Sequence, residues 1–193
     1  MLKIVTAPNP ILSQKANKVK KVDRNILNLI AEMKQTLLSA KDPKGIGLAA
    51  PQAGFPLCIF QVKPTEKSPI ATFINPVIEN EEDVKEIPSF SNSQKIEAKK
   101  PKVSKGKLLE GCLSIPNIWG NVSRAKKITV SWQDEKKKNH KQTFNGFSAI
   151  IIQHEIDHLD GILFPKRVLE QKGKLYRSEK NEKGEDVFEE IEI

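Results

Sequence analysis

The amino-acid sequence predicts a single domain of the α+β class over residues 1–193. A chain of 193 residues suffices for one well-filled core and is too short for two. Hydrophobic residues make up 38% of the chain and charged residues 29%, which is typical of a folded globular protein. The predicted elements run from one helix through several strands to a central helix and then to further strands, without internal repeats. This order indicates an α+β fold.

The first predicted helix extends from Asp23 to Ala40. Asp23 is a suitable N-cap residue, and Val22 and Leu27 have the spacing of a hydrophobic staple. The segment Asp42-Pro43-Lys44-Gly45 ends the helix. Apolar side chains at helical spacing predict a core-facing stripe that consists of Ile26, Leu27, Ile30, Met33, Leu37 and Leu38.

Several strands are predicted between the two helices. Leu57 to Val62 and Thr72 to Asn75 are short apolar segments next to prolines. Residues 79–107 are charged, contain proline and serine and show no clear period, apart from a short strand suggested near Lys95 to Ala98. We interpret this stretch as an exposed insertion within the domain. Lys127 to Gln133 alternates between apolar and polar residues and predicts a half-buried strand.

The central helix is predicted from Phe147 to Asp160, and Gly161 suits its C-terminal end. The sequence shows no clear second helix after it. The tail from about 175 to 193 is predicted to form a hairpin, because Asn181-Glu182-Lys183-Gly184 is turn-like and apolar residues then recur on one strand face.

The chain is basic, with 32 Lys and Arg against 24 Asp and Glu and a net charge of +8. Lysine clusters usually form solvated faces, and the alternative is a weak attraction to a polyanion such as RNA. No nucleic-acid-binding motif accompanies them, so sequence-specific binding is not expected, and no apolar run is long enough to cross a membrane. The lack of a targeting signal and of a disulfide framework predicts a reducing cytoplasm. The clusters lie at Lys18, Lys20 and Lys21, at 99–107 and at 136–141.

The segment Gln153-His154-Glu155-Ile156-Asp157-His158 carries the strongest chemical signal. On a helix, the spacing of the two histidines places both imidazoles on one face, where they can share a metal ion. Glu155 lies beside that face, as a general base for metal-assisted hydrolysis does. The alternative is a surface helix with two histidines, but the apolar flanks predict a buried helix in which unpartnered polar groups would be costly.

A metal site of this type needs a third protein ligand. No histidine follows His158, whereas Glu110-Gly111-Cys112-Leu113-Ser114 stands upstream. A lone cysteine is more often a small core residue than a ligand, which is our interpretation of Cys58. Gly111 leaves the backbone beside Cys112 uncrowded, as a ligand loop or a substrate-binding edge requires.

The segment Gly45-Ile46-Gly47-Leu48-Ala49-Ala50-Pro51-Gln52 resembles a dinucleotide fingerprint only superficially. It follows a helix rather than a strand, and Pro51 interrupts any helix after it. A loop of small residues that lies against a substrate backbone, with Gln52 as a hydrogen-bond donor, is the better interpretation.

Together these three motifs resemble those of the peptide deformylase family, whose members remove the formyl group from the N-terminal methionine of newly made proteins. The resemblance extends from Pro8-Asn9-Pro10-Ile11-Leu12 to Gly161-Ile162-Leu163-Phe164. It implies an α+β fold of the deformylase type, with antiparallel or mixed strands packed around a central metal-binding helix. The implied substrates are N-formylmethionyl nascent peptides.

The resemblance also implies site residues. Cys112, His154 and His158 match the family's metal ligands, which hold Fe(II) in the cell and also accept Zn, Ni or Co. Glu155 matches the general base, and Gln52 and the backbone N–H of Leu113 match the groups that stabilise the oxyanion. The matching substrate-binding positions are the backbones of Ile46, Gly47 and Gly111, and a methionine pocket of Leu108, Glu110, Phe147, Ile150, Ile151 and His154. Arg124 matches an arginine near the rim that supports either the peptide or the Cys112 loop.

Two further interpretations are weighed against this one. A general zinc endopeptidase is suggested by the histidine motif alone, and a non-catalytic peptide- or ribosome-binding relative would carry a broken ligand set. The acidic, strand-like tail also differs from the basic C-terminal helix by which well-studied relatives dock on the ribosome. Any weak ribosome association is therefore expected to use the lysine clusters.

Overall fold

The structure is a computed structural model that describes residues 1–41, 44–82, 108–182, 184 and 186–192. Within these residues the strands form two antiparallel sheets. The helices are α1 (Arg24–Ser39), α2 (Gly146–Leu159) and α3 (Phe164–Glu170). The strands are β1 (Gly47–Ala49), β2 (Ile59–Val62), β3 (Ala71–Glu82), β4 (Glu110–Cys112), β5 (Ile115–Gly120), β6 (Lys127–Gln133), β7 (Asn139–Asn145), β8 (Leu175–Lys180) and β9 (Asp186–Ile191).

The larger sheet has the strand order β1-β2-β3-β6-β7. Its inner face packs against α2, and Phe60 and Phe73 stack there with ring centroids 4.6 Å apart. Helix α2 is buried for most of its length, including Ala149, Ile151 and Ile152. The polar residues of α2 therefore lie in the interior. The free energy of burying them depends on the hydrogen bonds and ion pairs that they form there.

The ends of both long helices follow the local sequence. The Asp23 side chain accepts a hydrogen bond from the Ile26 N–H at 3.0 Å, which caps α1. Helix α2 ends at Leu159 in a Schellman motif. Gly161 has a φ of +71° and its N–H donates to the His158 carbonyl, while the Ile162 N–H donates to the Asp157 carbonyl.

The smaller sheet has the order β4-β5-β8-β9. Strands β4 and β5 form a tight hairpin that ends beside Cys112, and β8 and β9 form the C-terminal hairpin. This sheet and α3 enclose an apolar cluster, which includes Cys112, Phe164, Val168 and Leu175. One metal-ligand candidate, Cys112, thus belongs to a different sheet from the one that supports α2.

The α+β class, α1, α2, the strand at Lys127–Gln133 and the C-terminal hairpin are confirmed. Four expectations are wrong. Leu27 and Leu38 are 41% and 56% exposed, and Leu29 is buried instead. Strand β3 continues past Asn75 to Glu82, because a positive φ at Asn75 and two register shifts let it pass Pro76 and pair with β6. The glycine-rich segment contains β1 followed by a 3₁₀ helix over Ala50–Ala53, and α3 follows the central helix.

Residues 83–107 of the predicted insertion lie outside the described residues, and so do the suggested strand near 95–98 and the lysine cluster at 99–107. In the described ranges, no helix is long and apolar enough to span a membrane.

Candidate metal centre

The three candidate ligands meet in the interior. His154 and His158 lie one turn apart on α2, and the Nε2 atom of His158 is 3.1 Å from the sulfur of Cys112 at the end of β4. One donor atom from each residue lies within 4.8 Å of the other two. The backbone N–H of Ser114 also donates to the sulfur, at 3.4 Å. The hairpin turn thus fixes the thiol beside the helix.

Gln52 is held in one orientation next to the sulfur. Its Oε1 accepts a hydrogen bond from the Ala49 N–H at 2.8 Å, so its Nε2 faces the other way. That Nε2 donates to the Cys112 sulfur and to the Ser114 hydroxyl, both at 3.3 Å. The 3₁₀ helix after β1 therefore places a buried N–H donor at the metal-ligand cluster.

A buried ion network orients His154. Its Nδ1 lies 2.9 Å from Glu110 Oε2, which leaves Nε2 free to bind a metal. Arg124 holds the Glu110 carboxylate with two hydrogen bonds of 2.8 and 2.9 Å and donates to Asp157 at 2.5 Å. Arg167 binds the other oxygen of Asp157 at 2.7 Å. The network ties β4, α2 and α3 together through charge-assisted hydrogen bonds.

Glu155 lies against the backbone of Gly47. A Cβ atom built on Gly47 would meet the Glu155 carboxyl group, with Cδ at 2.7 Å. The Oε2 atom of Glu155 is buried without a hydrogen-bond partner among the described residues. Burial raises the pKa of Glu155 to about 7, although His154 and His158 oppose the shift. A carboxylate in this state is suited to exchange a proton near neutral pH.

The electrostatics of the cluster favour a cation. Burial raises the pKa of the Cys112 thiol, but His158 and His154 outweigh it and lower the pKa to about 5. Burial opposes protonation of His154, yet Cys112 and Glu110 raise its pKa well above the usual value. The negative charges of Cys112 and Glu110, which stabilise a proton on the His154 imidazole, would also stabilise a metal ion at this position. A thiolate with two imidazoles is a donor set that suits Zn, Fe and related ions, so the residues fit a single metal.

A cavity of about 400 Å³ opens onto this cluster. Its wall includes Cys112, His154, Glu155 and Gln52. It also includes most of the expected substrate-binding and oxyanion positions, namely Ile46, Gly47, Leu108, Glu110, Gly111, Leu113, Phe147, Ile150 and Ile151. His158 is only 1% exposed and lies beneath the wall.

The expectation that Arg124 lies near the rim is wrong. Arg124 is 7% exposed and lines a second, polar cavity together with Asp157 and Arg167, rather than the cavity at the metal-ligand candidates. It is buried because two carboxylates, Glu110 and Asp157, compensate its charge. Its bonds to Glu110 support the strand that carries Cys112, in keeping with the second of the two expected roles.

Sequence reasoning missed several residues of the site. Trp119 could have been predicted from the sequence, because a tight hairpin after Cys112 pairs Gly111 with Trp119. Lys44 and Asp186 reach the cavity only through the tertiary fold. Asp157 and Arg167 complete the ion network. The sole signal for them in the sequence was an acid between two histidines and a basic residue 10 positions later.

This site defines the chain as a candidate metal-dependent hydrolase, with a buried carboxylate beside a Cys/His/His cluster at the base of a cavity. The chain belongs to the polypeptide deformylase family, whose model matches residues 1–174. It is thus an enzyme of the class that removes N-terminal formyl groups from polypeptides. No observation favours the non-catalytic alternative, which required a broken ligand set.

Relatives and solved structures agree with this assignment. The chain is 39% identical to the peptide deformylase of Chlorobaculum tepidum over 172 residues, which is 87% of this chain and 80% of the relative. The peptide deformylase structure from Thermus thermophilus superposes with a TM-score of 0.72 at 32% identity, covering 89% of this chain and 88% of that chain. The Synechococcus elongatus enzyme in complex with actinonin gives 0.68 at 32% identity, covering 86% and 79%.

Proposed function

We propose that Cys112, His154 and His158 hold one divalent metal ion and that Glu155 is the general base of deformylation. The convergence of three donor atoms and one unpartnered carboxylate oxygen at the base of a cavity carries this proposal. When bound, a divalent ion supplies Lewis acidity, which lowers the pKa of water and polarises a carbonyl group.

Glu155 moves the proton in this proposal. Its Oε2 takes a proton from the attacking water and passes it to the nitrogen of the leaving amine. Because burial holds its pKa at about 7, the carboxylate can accept the proton and release it within one turnover at neutral pH.

Two N–H donors stabilise the negative charge that develops on the formyl oxygen. One is Nε2 of Gln52, which its bond to Ala49 orients toward the cluster, and the other is the backbone N–H of Leu113. Donors that are fixed before the reaction need no reorganisation when charge develops, which favours the transition state.

The peptide adds as an extended strand between two sheet edges. Strand β1 ends the larger sheet and β4 ends the smaller one, and residues of both line the cavity. Backbone groups of Ile46, Gly47 and Gly111 therefore pair with the substrate. The methionine side chain occupies the apolar pocket of Leu108, Phe147, Ile150 and Ile151, beside Glu110 and His154.

We propose Fe(II) as the cellular metal, because the resemblance to the family implies it. Zn, Ni or Co can substitute, since thiolate and imidazole ligands accept all of these ions. The enzyme acts as one domain in a bacterial cytoplasm, in keeping with its bacterial relatives.

The test is anaerobic release of formate from formyl-Met-Ala-Ser by Fe(II)-loaded protein, with Glu155→Gln and the unformylated peptide alongside. We expect Glu155→Gln to keep its metal content and to turn over about 10²- to 10⁴-fold more slowly, since general base catalysis contributes about that much. Near-normal turnover of the variant would remove Glu155 as the base. A protein that carries its metal but releases no formate would overturn the whole proposal.

Weak ribosome association is proposed through exposed lysines, such as Lys18, Lys20 and Lys21 near the N-terminus and 136–138 in the β6–β7 turn. Cosedimentation with ribosomes should fall steeply as salt rises, because such contacts depend on counterion release. Association that is absent, or that does not respond to salt, would contradict this part.

A further inference from the structure

An indole ring covers one side of the strand β4 at the mouth of the cavity. Trp119 pairs with Gly111 across the β4–β5 hairpin. A Cβ atom built on Gly111 would lie 2.6 Å from Cζ3 of the ring. Trp119 is half-buried, and its ring forms part of the cavity wall. The absence of a side chain at Gly111 thus lets an aromatic face lie directly along the substrate-binding edge.

The C-terminal hairpin fixes this ring. The indole Nε1 donates to the buried Ser178 hydroxyl on β8 at 2.9 Å. Phe188 on β9 meets the ring edge-on, with centroids 5.8 Å apart and an interplanar angle of 76°. A ring held by a hydrogen bond and an aromatic contact loses little further freedom when a ligand packs on it, which favours binding.

Strand alternation decides which substrate residue meets this ring. Glu110 and Cys112 are buried on the face of β4 toward α2, whereas Gly111 between them faces Trp119. The methionine pocket lies on the α2 side. Successive side chains of an extended peptide point to opposite faces, so the residue after the methionine points toward Trp119.

We propose that Trp119 forms the subsite for the second residue of the substrate and that it selects peptides with an aromatic side chain there. The proposal rests on the strand-addition mode of the proposed function. Among the described residues, the two charged side chains at the mouth have partners of opposite charge: Lys44 pairs with Glu66, and Asp186 pairs with Lys180 at 2.8 Å.

The test compares kcat and KM for formyl-Met-Xaa-Ser peptides in which Xaa is alanine, cyclohexylalanine or phenylalanine. For the metal-loaded wild-type enzyme we expect kcat/KM with phenylalanine to exceed that with alanine about five- to tenfold and that with cyclohexylalanine about twofold or more, as an aromatic pair contributes beyond its area. The gain should lie in KM, because the contact is the same in ground state and transition state.

Three variants assign the preference to the ring. Trp119→Ala should reduce the phenylalanine-to-alanine ratio to about one, and Trp119→Phe should retain part of it. Trp132→Phe is the matched control, because Trp132 packs on Phe73 and Phe144 and is not part of the cavity wall. Its ratio should equal that of the wild type.

A wild-type enzyme that deformylates all three peptides equally would overturn the subsite and leave the proposed function intact. If Trp119→Ala still prefers phenylalanine over alanine, the subsite for the second residue lies elsewhere. Failure to deformylate any peptide would instead refute the proposed function. Circular dichroism and metal content identify a variant that has not folded. The substrate series in the wild-type enzyme tests the aromatic preference of the subsite without any variant.

Discussion

At the scale of single residues, the site depends on side chains that are absent as much as on those present. Gly47 leaves the space that the Glu155 carboxylate occupies, and Gly111 leaves the space that the Trp119 ring covers. Both glycines belong to edge strands that line the cavity. Glycine within a strand lowers the stability of that strand. At both positions, the missing side chain allows another group to approach the backbone closely.

A methyl group at Gly47 should therefore displace the catalytic carboxylate. We expect Gly47→Ala to lower kcat/KM about 100-fold, since a misplacement of about 1 Å can cost that much. Gly184→Ala is the control, because a Cβ atom there meets no atom of the described residues within 4 Å. Strain at its φ of +74° should affect stability rather than turnover. Unchanged kcat/KM in Gly47→Ala would show that Glu155 moves freely.

At the scale of elements, neighbouring residues of α1 differ sharply in burial. Leu37 is 1% exposed and belongs to a buried apolar cluster with Met33 and Ile59, whereas Leu38 is 56% exposed. The helix stripe that faces the sheet is completed by Leu29 rather than by Leu27 or Leu38. The same substitution at these two positions therefore has different consequences.

Leu37→Ala should lower the free energy of unfolding by about 3 kcal/mol, because it removes buried methyl groups and leaves a cavity. Leu38→Ala should change it by less than about 0.5 kcal/mol. Urea unfolding followed by circular dichroism measures both. Equal losses in the two variants would contradict the orientation of α1.

At the scale of the whole molecule, the Glu110–Arg124–Asp157–Arg167 network joins the smaller sheet to α2 and α3. Burial raises the pKa of Glu110, but Arg124 and His154 outweigh it and lower the pKa from 4.5 to about 2. A carboxyl group whose pKa is lowered by folding stabilises the folded state above pH 4.5, and this stabilisation is lost as the pH falls to about 2. The shift corresponds to about 3 kcal/mol at neutral pH.

The difference in unfolding free energy between the metal-free wild type and Glu110→Gln should thus be large at pH 7. It should shrink as the pH falls from 4.5 toward 2, because both side chains are then neutral. Urea unfolding across this range measures it. Glu135→Gln in the exposed β6–β7 turn is the control, with no difference expected. A constant difference for Glu110→Gln would show that its charge does not stabilise the fold.

A metal bound between β4 and α2 should also stabilise the molecule, because a ligand that binds only the folded state adds to its stability by mass action. We expect a chelator to lower the Tm of the wild type. It should have no effect on Cys112→Ala, in which the ligand set is broken. A chelator effect of equal size in both proteins would place the metal elsewhere.

The sequence by itself determined the class of the fold, both long helices with their ends, and the three motifs of the site. These are local signals: an N-cap at Asp23, a glycine stop at Gly161, alternation from Lys127 to Gln133 and two histidines one helical turn apart. The family followed from the motifs, as the comparisons confirm.

Only the tertiary structure decided what lies around those motifs. It placed Arg124 beneath the site rather than at its rim, exposed Leu38, extended β3 to Glu82 and brought Trp119 to the cavity through its hairpin pairing. These outcomes depend on which elements pack against one another, and such contacts join residues that are far apart in the chain. Burial and pairing follow from those contacts, so composition and periodicity within a short segment could not fix them.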